Sequence, residues 1–183
     1  MITEKAMIEQ CSPTLLGIKT GNIFTVKFND IESLYHDLNT WNDKFQDKSL
    51  KLMILRADSN IALIYIYREE LLMKDLEDCT AKKIMKKYGY STHNISKILE
   101  RLQYRFSDYN EFPHEIGLFL SYPPKDVEGF ICNKGKNCKL CGYWKVYGNT
   151  SEAINKFATY DQCRDLYRKL WNEGNDILQL TVA

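Results

Sequence analysis

Three cysteines, Cys132, Cys138 and Cys141, fall within ten residues, and Gly142 follows the last of them. Two thiols separated by two residues can bind one tetrahedral metal ion, and a glycine after the second thiol lets the backbone turn its amides toward the sulfurs. The pattern Cys-x5-Cys-x2-Cys-Gly is therefore typical of a zinc or iron site. In this interpretation Cys132 is the third ligand.

A closed tetrahedral site needs a fourth ligand, and the chain has no second Cys-x-x-Cys to supply it. His114 is the candidate closest in sequence. The other candidates are Cys11, Cys79, Cys163, His36 and His93. We therefore predict a zinc or iron site of Cys132, Cys138, Cys141 and His114.

The same thiols have a second interpretation as a dithiol redox site. Lysines at positions 134, 136, 139 and 145 surround them, and no acidic residue lies between 131 and 148. Nearby positive charge lowers the pKa of a thiol and favours the reactive thiolate. The residues after Cys141 predict a strand, however, so no helix dipole adds to this activation. A third interpretation is a compact loop with unligated thiols.

The lysines also suggest a non-catalytic binding module. Lys134, Lys136 and Trp144 are its candidate binding residues, because a basic loop beside the aromatic stretch 143–147 could contact an anionic ligand or a partner protein. Nucleic acid is a weaker candidate, since the net charge is only +1 and aromatic residues in a strand are more often core residues. The glycines match no phosphate-binding loop.

Two further residues are candidates for catalysis. Ser12 and Pro13 are typical of the start of a helix, which would place Cys11 beside the positive helix end and favour its thiolate. Cys11 or Cys141 could then act as a nucleophile with His114 as the base. The alternatives are a buried, apolar Cys11 and a His114 that only caps a helix or makes a structural hydrogen bond.

Hydrophobic periodicity and turn residues predict the elements that position these groups. Strands are predicted over 22–29, 51–56, 61–67, 143–147 and 177–182. Helices are predicted after Ser12, over 31–45 with Asp30 as its cap, over 81–88 with Thr80 as its cap, over 94–106, after Pro123-Pro124, and through 154–170. The strands over 51–56 and 61–67 form a hairpin that should be covered on both faces.

This mixture predicts a single α+β domain over 1–183, with a mostly antiparallel sheet and an irregular cysteine-containing segment at about 108–142. Cys79 and Cys163 are predicted to be core residues. The longest apolar run, 61–67, is too short to span a bilayer, and the first residues lack the pattern of a signal peptide. We therefore expect a cytoplasmic protein without disulfides.

The segments 11–19, 112–120 and 134–148, taken in that order, resemble an uncharacterised family, domain of unknown function 3793, found mainly in anaerobic Gram-positive bacteria. The resemblance covers nearly the whole chain. It implies a small cytoplasmic protein that folds as one unit, and it brings no established activity or cofactor. An anaerobic setting would suit a metal-binding or thiol-redox accessory protein, with a redox partner protein or a small anionic ligand as its partner.

Overall fold

The computed structural model describes residues 1–90, 94–108 and 112–183, so the candidate ligand His93 lies outside the described residues. The helices are α1 (Glu4–Leu15), α2 (Ile31–Lys44), α3 (Glu69–Asp75), α4 (Cys79–Lys87), α5 (Ile95–Ser107), α6 (Ile116–Phe119), α7 (Pro124–Cys132), α8 (Thr150–Asn172) and α9 (Ile177–Leu180). The strands are β1 (Gly21–Lys27), β2 (Leu50–Asp58), β3 (Ile61–Arg68), β4 (Leu140–Cys141) and β5 (Lys145–Val146). The fold is α+β, as predicted.

A three-stranded antiparallel sheet in the order β1-β3-β2 forms the centre of the fold. The predicted hairpin is its β2-β3 pair. Ser59 and Asn60 turn the chain with φ values of 48° and 71°, in the left-handed region that a tight two-residue hairpin turn requires. The register shifts once, between Ile54 and Arg56, where β2 bends.

Both faces of this sheet are buried, because alternate residues of β3 point into two different cores. Ile64 and Ile66 pack with α1, α2 and α8, whereas Tyr65 and Tyr67 pack with α3 to α7. The sequence prediction of a hairpin covered on both sides is therefore confirmed. A third, smaller core forms where the two-stranded ribbon β4-β5 meets α8.

Arg68 joins the end of β3 to two distant segments of the chain. Its guanidinium is buried and donates hydrogen bonds to Thr14 O at 2.8 Å, Leu15 O at 2.7 Å and Val182 O at 2.9 Å. These carbonyls belong to the last turn of α1 and to the C-terminal segment. Arg68 thus satisfies acceptors that would otherwise be buried without partners.

The start of the first helix was predicted wrongly. Thr3 caps α1, so Ser12 and Pro13 lie near its C-terminal end instead of at its start. The Ser12 hydroxyl donates to Ile8 O inside the helix. The buried residues of α1 explain the longer helix, because they supply the tertiary contacts that a sequence pattern around Pro13 does not reveal. Cys11 is therefore not at a helix N-terminus.

The final strand was also predicted wrongly, because α9 occupies part of 177–182. Asp176 and Gln179 form a capping box, in which each side chain accepts a hydrogen bond from the other residue's backbone and starts the helical turn. Other boundaries differ as well. Asp78 caps α4 in place of the predicted Thr80, and β5 covers only two residues of the predicted strand 143–147. In the described part of the chain, no helix has the length and apolar character needed to cross a membrane.

Candidate functional site

The cysteine segment folds as the ribbon β4-β5, in which Leu140 pairs with Val146 and Cys141 with Lys145. Asp126 on α7 holds the ribbon in place. Its carboxylate is buried and accepts hydrogen bonds from Trp144 Nε1 at 2.7 Å, Tyr147 N at 2.8 Å and Gly148 N at 2.6 Å. Bonds from N–H groups to a charged acceptor are stronger than neutral ones, so they fix the ribbon on the helix.

A pocket of about 310 Å³ lies between this ribbon, α7 and the segment 112–117. We call it the aromatic pocket, because six of its lining residues carry aromatic rings. These residues are Phe112, His114, Tyr122, Phe130, Tyr143 and Trp144. Its polar side chains include Cys141, Lys145 and Asp126. Three residues from the sequence prediction, His114, Cys141 and Trp144, therefore line one cavity.

His114 is exposed, and its ring lies in a row of aromatic side chains at one wall of the aromatic pocket. The ring centroid of His114 is 5.6 Å from that of Phe112 and 4.9 Å from that of Phe130. Lys145 Nζ lies 5.9 Å from the centroid of Phe130 and donates a hydrogen bond to Gly135 O at 2.8 Å. The wall thus combines ring faces with a positively charged group at one side.

Trp144 lines the aromatic pocket and is itself held by neighbouring rings, so its role as a binding residue stays a prediction. Its ring stacks on Tyr122 with a centroid distance of 5.0 Å and meets Phe157 edge-on at 4.5 Å. The side chain is only 6% exposed and belongs to the third core. Trp144 therefore contributes to the wall of the aromatic pocket while these two contacts fix its orientation.

The three clustered cysteines are free thiols in different surroundings. Cys132 ends α7 and is exposed, Cys138 is half-buried, and Cys141 is exposed where it lines the aromatic pocket. Within residues 1–90, 94–108 and 112–183, no three or more His, Cys, Asp or Glu side chains form a group that could hold a metal ion. The predicted ligands do not form a coordination shell there, and metal binding stays a prediction.

Lys134 and Lys136 are exposed in the loop between α7 and β4 and do not line the aromatic pocket. This loop turns tightly, with positive φ values at Lys134, Gly135 and Asn137. The nearest lysine at the pocket wall is Lys145, which the hydrogen bond to Gly135 ties to the loop. The two predicted lysines therefore lie outside the pocket lining, whereas Lys145 is part of it.

Cys11 lies away from this site, fully buried in the core between α1, α2 and α8. Burial raises the pKa of its thiol to about 12, because the charged thiolate would lose its hydration there. The expectation of a thiolate favoured by a helix N-terminus is therefore wrong. Cys163 is buried in the same core, as predicted, whereas Cys79 is exposed and that prediction was wrong.

A second cavity was missed by the sequence analysis. It involves Thr20, Asp75 and Ser121, which come from three separate segments of the chain. Asp75 ends α3, a helix that the sequence pattern did not predict. The only local signal is the doublet Pro123-Pro124 beside Ser121, and it indicates a turn, not a site.

Comparison with known proteins gives one match. A family model described as "Protein of unknown function (DUF3793)" matches residues 7–181 of the 183-residue chain. No curated protein and no solved structure matches the chain.

Proposed function

The chain belongs to the DUF3793 family, and we propose that it is a non-catalytic binding module for a small ligand with a flat apolar body and an anionic group. The aromatic pocket takes the apolar body. Lys145 and the neighbouring lysine-rich loop face the anionic group. The observation that carries this proposal is the meeting of His114, Cys141 and Trp144 at one cavity in which six of the thirteen lining residues have aromatic rings.

The size and lining of the pocket support a small flat ligand. Its volume of about 310 Å³ lies at the lower end of the range for small-molecule sites, which is roughly 300–1,000 Å³. Rings such as those of Phe130 and Tyr143 favour other flat apolar groups, because stacked and edge-on ring pairs are attractive beyond their buried area. The pocket therefore suits an aromatic body better than a flexible chain.

The charges around the pocket support an anionic group on that body. Lys145 lines the pocket, and Lys134, Lys136 and Lys139 lie in the adjoining loop. Asp126, the one carboxylate that the described residues contribute to the lining, already accepts three N–H hydrogen bonds, which partly offset its charge. An anion at the lysine side is therefore attracted more than it is repelled.

Binding is favoured over catalysis because, in the described part of the chain, the candidate nucleophile and base at the pocket are not paired. Cys141 and His114 both line it, yet no hydrogen bond joins them among the described residues. Activated nucleophiles are normally within hydrogen-bond reach of their base. The enzymatic interpretation of Cys141 and His114 therefore stays a prediction without a geometric argument in its favour.

Isothermal titration calorimetry with 2-naphthoate and its neutral counterpart 2-naphthamide tests the proposal. We expect 2-naphthoate to bind more tightly than 2-naphthamide. The affinity for 2-naphthoate should decrease when the salt concentration is raised from about 50 to about 300 mM. Lys145→Met should lower the affinity for 2-naphthoate at least about fivefold and leave the affinity for 2-naphthamide nearly unchanged. Phe130→Ala should lower the affinity for both ligands. Combined replacement of Lys134 and Lys136 by alanine should lower only the affinity for the anionic 2-naphthoate.

Lys169→Met provides the matched control, since this lysine is exposed on α8 and does not line the pocket. It should bind both probes like the unaltered protein, and so should Cys138→Ser. The proposal would be contradicted if neither naphthalene probe bound. It would also be contradicted if both probes bound with equal affinity and Lys145→Met changed both affinities equally.

The metal-binding or thiol-redox accessory role is a second candidate function. It is favoured by the position of Cys141 and His114 at one pocket, with the free thiol of Cys138 close before β4. In this role the protein would be a cytoplasmic partner of anaerobic metal or redox metabolism. Elemental analysis of anaerobically purified protein tests it: stoichiometric zinc or iron should fall in Cys138→Ser and persist in Cys79→Ser, whose thiol is exposed on α4. Metal-free protein would contradict the metal-binding form of this role.

A further inference from the structure

The second cavity is a larger and more polar cleft than the aromatic pocket. It measures about 570 Å³ and lies between the segment 17–20, α3, the segment 118–124 and α8. Thr20, Asp75 and Ser121 line it together, and Tyr122 separates it from the aromatic pocket by lining both. We call the group of Thr20, Asp75 and Ser121 the polar floor of the cleft.

Hydrogen bonds within the polar floor decide what it offers a ligand. Thr20 N donates to Ser121 Oγ at 2.8 Å, Ser121 Oγ donates to Asp75 Oδ2 at 3.1 Å, and Thr20 Oγ1 donates to the same carboxylate oxygen. Both hydroxyl protons are therefore used within the floor. The remaining lone pairs of the hydroxyls and of the carboxylate are acceptors, so the floor favours a ligand that brings hydrogen-bond donors.

Ser121 shows that the floor is built at a cost. Its φ is +58°, in the left-handed region. This backbone conformation costs a residue other than glycine roughly 1–2 kcal/mol. Its hydroxyl lies between Thr20 N and Asp75, so the unfavourable backbone conformation is what places this oxygen in the floor. Residues held in such conformations are concentrated at binding and active sites.

Lysine side chains lie at other parts of the cleft. Lys74 and Lys156 are exposed and line it. Lys19 is only 4% exposed, and its Nζ lies 5.7 Å from the ring centroid of Tyr122 and 5.9 Å from that of Tyr160, two walls of the cleft. The burial lowers the pKa of Lys19 to about 8, so the amine is still mostly charged at neutral pH.

These lysines determine which kind of hydrogen-bond donor a ligand can bring into the cleft. The Lys19 ammonium would repel a ligand ammonium placed against the same tyrosine rings, so the donors are better supplied by neutral hydroxyl groups. The second carboxylate of the lining, Asp78, caps α4 by accepting from Thr80 N at 2.7 Å and Ala81 N at 3.0 Å. An anionic group on the ligand is thus attracted to Lys74 and Lys156.

We propose that this cleft is a second binding site, which takes a small polyhydroxylated anion of the sugar-phosphate class. The ligand hydroxyls donate to the polar floor of Thr20, Asp75 and Ser121, and the phosphate contacts Lys74 and Lys156. The site is independent of the aromatic pocket, since its polar contacts and the ligand chemistry are different.

Isothermal titration calorimetry with glucose 6-phosphate, glucose and inorganic phosphate tests this inference. Glucose 6-phosphate should bind at least about tenfold more tightly than either fragment, because only the whole molecule contacts both the polar floor and the rim of the cleft, which consists of Lys74 and Lys156. The double variant Lys74→Met, Lys156→Met should weaken it at least about tenfold. Asp75→Asn should also weaken it, since the amide places donors where the floor offers acceptors.

Lys169→Met on α8 is the control, because its side chain is 73% exposed and lies outside the cleft. The rim variants change only exposed side chains, so they keep the test valid if Asp75→Asn does not fold. Absence of glucose 6-phosphate binding would overturn the proposal. The same holds if inorganic phosphate binds equally well, or if the rim variants bind glucose 6-phosphate like the control. Lys145→Met should leave this binding unchanged, which separates it from the aromatic pocket.

Discussion

At the scale of single residues, Lys19 is a buried charge with few polar contacts. It is buried, it donates a hydrogen bond to Asn22 Oδ1, and no carboxylate of the described residues lies within ion-pair distance of it. Its other titratable neighbours are Cys11 and the tyrosines 122 and 160. A buried ammonium without an acidic partner costs stability, because the charge loses its hydration without gaining an ion pair.

Replacing Lys19 by methionine should change how stability depends on pH. The pKa of Lys19 falls from 10.5 in the unfolded chain to about 8 in the folded one, so the unfolded state binds more protons between these values. The free energy of unfolding of the unaltered protein should therefore rise with pH in this window, by up to about 3 kcal/mol relative to Lys19→Met. Urea denaturation from pH 7 to pH 10 measures the difference.

Cys11 acts in the opposite direction, because the pKa of its thiol rises from 9.0 to about 12 on folding. Its contribution to stability is complete below pH 9 and decreases above it, but it is present in both proteins and largely cancels in the comparison. Lys156→Met, at an exposed residue, is the control. Its free energy of unfolding should differ from that of the unaltered protein by an amount that does not change with pH. A constant difference for Lys19→Met would contradict the prediction.

At the scale of elements, α7 positions the ribbon that carries the cysteines. Pro124 begins the helix, where a missing N–H is tolerated, and Asp126 in its first turn accepts the N–H groups of the ribbon. The glycines of this region are required by close packing. A Cβ on Gly129 would lie 2.5 Å from Tyr147, and a Cβ on Gly142 would lie 2.2 Å from Phe157. The ribbon therefore fits onto α7 and α8 in one arrangement.

Asp126→Asn should release the ribbon from α7. The uncharged amide weakens the three N–H bonds and turns its own NH₂ toward donors, so we expect a loss of about 2–4 kcal/mol in the free energy of unfolding. Urea denaturation measures it, and binding of 2-naphthoate should decrease in parallel because the ribbon forms a wall of the aromatic pocket. Asp165→Asn, at a residue whose side chain is 69% exposed, should change stability by less than about 0.5 kcal/mol. An equally small change in the free energy of unfolding for Asp126→Asn would show that the hydrogen bonds to Asp126 do not stabilise the ribbon.

At the scale of the whole molecule, the three-stranded sheet lies between two helical layers and belongs to both cores. Ile64 and Tyr65 are neighbours on β3 and pack into opposite cores. The loss of either core would expose one face of the same strands. We therefore expect the two layers to unfold together, as one domain.

Leu15→Ala and Leu102→Ala test this cooperativity, because each leucine is fully buried in a different core. Each cavity should lower the free energy of unfolding by about 2–5 kcal/mol. Far-ultraviolet circular dichroism and tryptophan fluorescence should give one coincident transition in each variant. Two separate transitions, or a variant in which only one probe shifts, would show that the layers are independent domains.

The sequence alone determined the features that depend on near neighbours. Asp30 caps α2, the turn at Asn60 joins β2 to β3, and Pro124 begins α7, all as their residue types predict. The α+β class and the family also followed from such local patterns and from whole segments. Capping, turn geometry and hydrophobic periodicity involve residues only a few positions apart, so they can be derived without the fold.

Only the tertiary structure decided which chemical groups meet. The sequence could not show that His114 and Cys141 line one pocket while Cys11 is buried elsewhere, nor that Thr20, Asp75 and Ser121 form one floor. It also misjudged the helix around Pro13, whose length depends on buried contacts. The physical reason is the same in each case. Contacts between distant segments are set by how two cores pack on the faces of one sheet, and no short stretch of sequence records that packing.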